Sequence, residues 1–269
     1  MATKTAKKSN RTQGEDAEAG RSGAIGRGFE ILRALRASRA PLSLTAVAEA
    51  IGVAPSSAHS ILTQLLAQDA VRQDEDKRYQ LGPVTFYVGA AFSRGSAPYR
   101  STWVELVDLA NEFSVIGALA VPWESHHLIL QSHRAGSSDV DVPFGGRVPI
   151  DAGAWGKVYY AFSGAEQPAK LSAYTQHSVV DVRQYAEQLE QVRENGYAVD
   201  DSEVAEGIGG VSAPITGNTG YEGLAALIGS TGTLEEIDQA ILGRRLAAVA
   251  ARASLTLGDS SRMRLFGNP

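Results

Sequence analysis

Two short amphipathic segments joined by only three residues constrain this chain more than any other feature. Residues 44–51 place their apolar positions on one face of a helix, and Ser43 stands at the expected N-cap. Gly52 is typical of a helix end and Pro55 of a helix start, so a second helix follows after a tight turn. That second helix, near residues 55–66, has one apolar face and one face of short polar side chains. The pattern predicts a helix-turn-helix whose second helix presents its polar face outward.

A helix before this pair and a hairpin after it extend the prediction. Residues 26–38 carry one apolar stripe flanked by arginines, and Pro41 ends that helix. Residues 70–73 and 78–81 have the pattern of two strands around a polar turn. A helix-turn-helix pattern alone is common in helical proteins that never touch DNA. Three helices followed by a hairpin, however, predict a winged helix-turn-helix over residues 25–82.

The charge distribution divides the chain into two parts. The net charge of -5 argues against a chain that binds nucleic acid along its whole length. Residues 1–95, however, hold 13 Lys and Arg against 9 Asp and Glu, whereas the remaining 174 hold 12 against 21. A basic front and an acidic rear predict two different jobs, with an anionic partner bound by the front.

Length and composition exclude several other classes of protein. The 269 residues, 43% hydrophobic, suit two modest domains with ordinary cores. Because the chain contains no cysteine, a disulfide framework and a thiolate metal site are excluded. No apolar run approaches the roughly 20 residues needed to span a bilayer. We therefore expect a soluble, cytoplasmic protein without a membrane partner.

The candidate DNA contacts fall into two groups. Base reading is expected from the polar face of the second helix, because amide and hydroxyl groups pair with base edges in the major groove. For Ser56, capping of the helix is the favoured alternative to a base contact. Phosphate binding is expected from the arginines and the lysine of the first helix and the hairpin. The candidates are Arg27, Ser56, Ser57, His59, Ser60, Thr63, Gln64, Arg72, Lys77 and Arg78.

The rest of the chain predicts a linker helix and an α+β domain. Residues 83–96 form an apolar helical pattern that suggests contact with another subunit, and residues 97–257 alternate between strand and helix patterns. Antiparallel strands between flanking helices are the expected arrangement. Residues 1–24 and 258–269 are expected to be tails. Strands are predicted near residues 115–121, 128–132, 147–150, 197–199, 210–215 and 223–229, and helices near 153–161, 181–195 and 233–254.

The alternative class is a metabolite-binding enzyme or hydrolase with an accessory helical N-terminal domain. The histidine cluster that could support it has a spacing unlike a helical zinc site, and surface histidines on a hairpin are the favoured interpretation. The chain also lacks the GxSxG, GxxxxGK[ST] and HExxH motifs. We therefore expect no catalytic residue, no metal and no cofactor. The cluster consists of His126, His127 and His133 with Glu124, Asp139 and Asp141.

The order of parts resembles the IclR family of transcriptional regulators over roughly residues 25–257. Residues 25–32, 44–48 and 55–59 resemble the family's opening helix and helix-turn-helix. Two rear segments, Arg147–Lys157 and Gly196–Glu203 followed by Val211–Ile215, resemble its more specific signatures. The resemblance implies a C-terminal GAF-like domain that binds a small, often acidic metabolite. It also implies homodimers through the DNA-binding heads, homotetramers through the sensor domains, and control of a nearby catabolic operon as repressor or activator. Of these two roles, we expect repression.

A candidate effector site lies at the start of the helix near residue 153. Backbone N–H groups and the positive end of the helix dipole suit a carboxylate or an amide oxygen there. Gly153 and Trp155 stand where the family prefers Thr and Leu, which favours a flat aromatic ligand over a two-carbon acid. The expected ligand is an organic or aromatic acid or a related amide. For either tryptophan, core packing is the open alternative. The candidates are Trp123, Ala152, Gly153, Ala154, Trp155, Pro214 and Ser230.

Overall fold

The computed structural model describes residues 23–95, 97–136, 140–218 and 220–258. Within it the chain forms two units that divide after Phe92. Nearly all of the two predicted tails, residues 1–24 and 258–269, lies outside the described residues.

Between residues 23 and 82, the first unit contains three helices and a two-stranded hairpin around one apolar core. The helices are α1 (Ala24–Ala37), α2 (Leu44–Ala50) and α3 (Pro55–Ala67), followed by strands β1 (Val71–Gln73) and β2 (Tyr79–Leu81). The two strands pair antiparallel, and Leu42 forms an isolated bridge with Tyr79. Each helix and both strands contribute buried side chains to the core, which therefore fixes the hairpin against the helices. Its buried members are Ile31, Leu35, Val47, Leu62, Val71 and Tyr79.

Local chemistry explains the tight turn between α2 and α3. The Ser43 hydroxyl accepts a hydrogen bond from the Ala46 N–H at 3.2 Å and so caps α2. Gly52 has a φ of +66°, a left-handed conformation that favours glycine. Pro55 begins α3 after the extended residue Ala54. The predicted helix-turn-helix and wing are confirmed.

Two further helices follow the wing, α4 (Pro83–Gly95) and α5 (Ala97–Phe113). On α4 the apolar side chains of Phe86, Tyr87 and Val88 are strongly exposed, at 77%, 69% and 62%.

The second unit is built on a six-stranded antiparallel sheet with helices on both faces. The strand order is β5-β4-β3-β8-β7-β6, and all neighbours pair antiparallel. This arrangement confirms the predicted α+β class. The strands are β3 (Ile116–Trp123), β4 (His126–Arg134), β5 (Arg147–Pro149), β6 (Ala198–Ala205), β7 (Ile208–Gly217) and β8 (Gly220–Ser230). The helices of this unit after α5 are α6 (Gly153–Phe162), α7 (Val182–Asn195), α8 (Thr231–Glu235) and α9 (Gln239–Gly258).

Alternate residues of the central strands enter two different cores. On β8, Ala225 and Leu227 pack in a core with α5, α8 and α9, whereas Leu224 and Ala226 pack in a core with α6 and α7. The sheet is therefore the middle of three layers, and α6 lies on the face opposite α5 and α9.

Five of the six predicted strands of the sheet are longer than predicted, β5 is one residue shorter, and the last helical segment is two helices. The predicted strand 197–199 continues to Ala205, past an irregularity in pairing between Asp201 and Ala205. The helix predicted near residues 233–254 begins earlier, because the Ser230 hydroxyl accepts from the Thr233 N–H and caps α8. Asp238 then accepts from the N–H groups of Ala240 and Ile241, so a new helix begins beside it.

Candidate functional site

The polar face of α3 is open to solvent. Four of the predicted contacts, His59, Ser60, Thr63 and Gln64, are exposed, while Leu62 beneath them is fully buried. Ser57 is half-buried. Because positions 59, 60, 63 and 64 repeat at helical spacing, the face forms one continuous stripe. The stripe has the residue types and the exposure that reading of base edges requires.

Two side chains of this stripe are already oriented by their own helix. The Thr63 hydroxyl donates to the His59 carbonyl at 2.8 Å, and the Gln64 amide donates to the Ser60 carbonyl at 3.4 Å. A hydroxyl that donates in this way retains acceptor capacity. The capping interpretation of Ser56 is wrong, because Ala54 is the N-cap and no side chain caps α3. Ser56 is exposed at the start of the stripe.

The predicted phosphate donors differ in how accessible their charges are. Arg78 is held by two carboxylates of the wing turn, with 2.9 Å from its Nε to Asp74 and 2.7 Å from its Nη2 to Asp76. Arg72 and Lys77 are exposed, and Arg27 is half-buried on α1. A phosphate contact by Arg78 must therefore compete with its neighbours in the turn.

A cavity of about 250 Å³ lies in the second unit between one face of the sheet and the start of α6. Its walls are mostly apolar. Exposed lining residues, Asp141, Pro143 and Arg147, mark its solvent side, whereas other lining residues such as Ala154 and Ser212 are buried. The full lining comprises Ile129, Val140, Asp141, Val142, Pro143, Gly146, Arg147, Val148, Ala152, Ala154, Trp155, Asp200, Val204, Ala205, Ile208, Gly209, Gly210, Val211, Ser212 and Ile228.

The start of α6 is occupied by a carboxylate of the protein itself. Asp200 of β6 accepts hydrogen bonds from the N–H groups of Ala154 and Glu203, the latter at 2.8 Å. Gly153 makes this approach possible, because a Cβ at that position would stand 2.1 Å from Asp200 Oδ2. Gly153 also has a φ of +47°. The expectation that this helix start offers free N–H groups to a ligand is wrong for Ala154.

Burial sets the acidity of Asp200. It raises the pKa of this carboxyl to about 6, against the opposing effects of the Glu203 and Ala154 N–H groups and of Lys157. Asp200 is therefore an acidic lining group that loses its proton near neutral pH.

Lys157 is unavailable to a ligand. It lies on α6, is 4% exposed, and forms an ion pair with Glu203. Its ammonium also donates to the Val199 carbonyl at 3.1 Å. The ion pair joins α6 to β6, next to Asp200.

The structure brings three of the seven predicted effector residues, Ala152, Ala154 and Trp155, to the cavity. Gly153 does not line the cavity, and it affects the cavity only by leaving room for Asp200. Trp123 does not line it and instead lies at the end of β3, with the Arg147 guanidinium 5.9 Å from its ring centre. Pro214 lines a separate open groove with Gly196 and Ala247, and Ser230 caps α8.

Sequence reasoning missed most of the cavity. Asp200 and Ser212 fall within segments that resemble the family's rear signatures, which was the available signal for them. The loop residues 140–146 carried no such signal.

The histidine cluster is dispersed, and one member is buried. His127 is fully buried, so its interpretation as a surface residue is wrong. Burial lowers its pKa to about 4, and its Nε2 lies 3.1 Å from the Tyr221 hydroxyl. His133 bonds to Asn111 at 2.9 Å, while Asp139 lies outside the described residues. In the part of the chain that the structure describes, no three His, Asp or Glu side chains converge as a metal site.

Comparisons with known proteins match both units. A model of the IclR helix-turn-helix domain matches residues 24–75, and a model of the bacterial transcriptional regulator IclR C-terminal domain matches residues 117–254. The chain belongs to the IclR family of transcriptional regulators. Because this family consists of regulators and not of enzymes, the hydrolase alternative is excluded.

Individual relatives and structures agree with this assignment. The chain is 30% identical to the transcriptional repressor IclR of Escherichia coli K12, over 68% of this chain and 70% of the relative. It is 28% identical to the HTH-type transcriptional regulator BhcR of Paracoccus denitrificans Pd 1222, over 89% and 88%.

Among solved structures, an IclR transcriptional regulator of Alicyclobacillus acidocaldarius superposes with a TM-score of 0.75 at 25% identity, over 87% of this chain and 98% of the other. An IclR homologue of Microbacterium hydrocarbonoxydans in complex with 4-hydroxybenzoate gives 0.76 at 15% identity, over 87% and 99%, and shares the fold. No helix in the described part of this IclR-family chain is long and apolar enough to cross a membrane.

Proposed function

We propose that this chain is a repressor whose affinity for operator DNA is controlled by a small organic metabolite. The observation that carries the proposal is the mostly apolar cavity of about 250 Å³ in the unit that follows the helix-turn-helix. Its Trp155 wall favours a flat aromatic ligand, either an aromatic acid or a related amide. The binding of 4-hydroxybenzoate is a property of the Microbacterium homologue and does not identify the ligand of this chain, since 15% identity supports only a shared fold.

The proposed DNA interface combines base reading by α3 with phosphate contacts around it. Base contacts are assigned to Ser57, His59, Ser60, Thr63 and Gln64, with Ser56 at the helix start. Gln64 is the strongest candidate, because an exposed amide can pair bidentately with adenine. Arg27, Arg72, Lys77 and Arg78 are assigned to phosphates. We place the chain in the cytoplasm, where operator DNA is accessible.

The protein is proposed to act as a homodimer that assembles further into a homotetramer. Large apolar side chains exposed on the first unit support the dimer: Ile25 and Phe29 on α1 are 80% and 59% exposed, and Phe86 and Tyr87 on α4 are 77% and 69% exposed. The proposed domains are residues 25–82 for DNA binding, 83–96 as a linker helix and 97–257 for effector binding.

Regulation follows from linkage between the two sites. A ligand that favours one arrangement of the effector domains changes the spacing or angle of the paired heads, and operator affinity changes with it. We assign the transmission to the linker helix, because it joins the two domains in the chain.

The test measures binding to labelled DNA from upstream of the flanking operon by fluorescence anisotropy, with unrelated DNA as competitor. Gln64→Ala is expected to weaken operator binding by about tenfold while leaving non-specific binding unchanged. Equal loss on both DNAs would refute the assigned reading face.

The cavity is tested by the same assay with benzoate, benzamide and 4-hydroxybenzoate as probes. Ala205→Phe places a large ring in the cavity from β6, whereas Ala169→Phe makes the same change at an exposed residue outside it. Release of operator by a probe should persist in Ala169→Phe and disappear in Ala205→Phe. Release that persists in both variants would contradict the cavity as the effector site.

A further inference from the structure

The charged groups of the cavity restrict the polarity of its ligand. Among the described residues, the charged side chains that line it are Asp141, Arg147 and Asp200. Asp141 and Arg147 are exposed on the solvent side, whereas Asp200 is partly buried beside the start of α6. The charged group nearest the inner wall is therefore acidic.

Among the described residues, neither Lys157 nor His127 is available to neutralise a ligand at this inner position. Lys157 is nearly buried and holds both Glu203 and the Val199 carbonyl. His127 does not line the cavity, and burial keeps the pKa of its imidazole near 4, so that it is neutral at pH 7. The positive end of the α6 dipole faces Asp200, which already accepts from the Ala154 N–H.

Asp200 keeps acceptor capacity for a ligand. A carboxylate offers about four lone-pair positions. Among the described residues, hydrogen bonds to Asp200 come from the N–H groups of Ala154 and Glu203. Because Asp200 lines the cavity, a remaining lone pair can accept from a donor placed there. A second carboxylate in the same place would bring two like charges together in a poorly hydrated site.

We propose that the ligand enters the cavity with an uncharged hydrogen-bond donor, an amide N–H or a hydroxyl, directed at Asp200. This inference rests on the proposed function of the cavity and narrows its ligand from acids and amides to molecules whose inner end is neutral. An acidic group on such a ligand belongs at the solvent side, near Arg147. Trp155 and the aliphatic walls contact the apolar body between the two ends.

Benzamide and benzoate are matched probes, because they have almost the same shape and differ in charge and in donors. Their affinities for the full-length protein are measured at pH 8 by isothermal titration calorimetry. Wild type is expected to bind benzamide at least about tenfold more tightly than benzoate, since only the amide can donate to an ionised carboxylate. Equal affinities, or a preference for benzoate, would overturn the inference and leave the cavity itself as a ligand site.

Asp200→Asn tests whether this residue sets the preference. The amide side chain keeps an acceptor for the Ala154 N–H and removes the negative charge, so the preference for benzamide should fall to within about threefold. Asp201→Asn makes the same change at the exposed neighbour on β6, which does not line the cavity, and should retain the wild-type ratio. An unchanged ratio in Asp200→Asn would overturn the assignment.

Failure of the proposed function gives a different result. If neither probe binds wild type, or if Ala205→Phe leaves both affinities unchanged, the cavity is not the binding site and the inference falls with it. Because the wild-type ratio needs no variant, poor folding of Asp200→Asn would not remove the decisive measurement.

Discussion

Gly153→Ala is the substitution whose effect the structure defines most closely. The residue has a φ of +47°, where a side chain costs about 1 kcal/mol or somewhat more. The added Cβ would stand 2.1 Å from Asp200 Oδ2 and 2.7 Å from Val204 Cγ2. Asp200 must therefore move, and its hydrogen bonds from the Ala154 and Glu203 N–H groups are weakened.

The backbone strain and the weakened hydrogen bonds together give the expected loss in the free energy of unfolding. Loss of charge-assisted hydrogen bonds to Asp200 costs about 2 to 3 kcal/mol, which with the backbone term gives about 3 to 4 kcal/mol for Gly153→Ala. Gly164→Ala is the matched control, because Gly164 has a φ of +73° and nothing within 4 Å of an added Cβ. It should lose only the backbone term of about 1 kcal/mol.

Urea unfolding followed by tryptophan fluorescence measures the difference. The three tryptophans, Trp103, Trp123 and Trp155, all lie in the second unit, so the signal reports its unfolding. In an Asp200→Ala background, Gly153→Ala should cost no more than about 1 to 2 kcal/mol, because the clashing carboxylate is gone. Equal losses for Gly153→Ala and Gly164→Ala would refute the role of glycine in admitting Asp200.

Three further predictions concern the charged groups. Arg72→Ala should weaken binding to all DNA sequences and reduce the slope of log affinity against log salt concentration by about 1. Arg78→Ala should change this slope less, because Asp74 and Asp76 already pair with Arg78. Equal slopes for the two variants would contradict this ranking. Because burial raises the folded-state pKa of Asp200 to about 6, above its usual 3.8, its contribution to stability is present at low pH and is lost as the pH rises through about 6. The stability of wild type relative to Asp200→Asn should therefore fall between pH 4 and pH 7 in urea titrations, and a constant difference would refute the raised pKa. Lys157→Met leaves Glu203 unpaired at a buried site and should lower the free energy of unfolding by about 3 to 5 kcal/mol. The double variant Lys157→Met, Glu203→Gln should recover part of this loss. A double variant no more stable than the single one would show that the ion pair is not the cause.

The parts of the fold predicted correctly depend on short-range chemistry. Pro55 starts a helix through its fixed φ, and Gly196 ends α7 with a φ of 76° because glycine tolerates that conformation. Asp181 caps α7 through bonds from the Arg183 and Gln184 N–H groups at 2.9 and 2.8 Å. Such signals act within a few residues and can be read from a single sequence.

The parts that could not be predicted depend on contacts between distant segments. Asp200 occupies the start of α6 only because β6 runs beside that helix and Gly153 leaves room for the carboxylate. The burial of His127 follows from its position on β4 beneath the rings of Trp155, Tyr159 and Tyr221. Neither neighbourhood has a local signature, so a single sequence cannot predict that a carboxylate occupies the start of α6 or that His127 is buried.

Contacts between side chains in the fold also affect how the basic excess of residues 1–95 is interpreted. Counting 13 cationic and 9 acidic residues within positions 1–95 assumes that every charge is equally available to bind phosphate. Arg78 has two carboxylate partners in the wing turn, so its contribution to phosphate binding is reduced by the energy of that pairing. Attraction to the DNA backbone should then depend more on exposed cations such as Arg72 and Lys77. Counting charges therefore indicates which unit carries the basic excess, whereas the pairing of those charges ranks the phosphate contacts that its cations are expected to make.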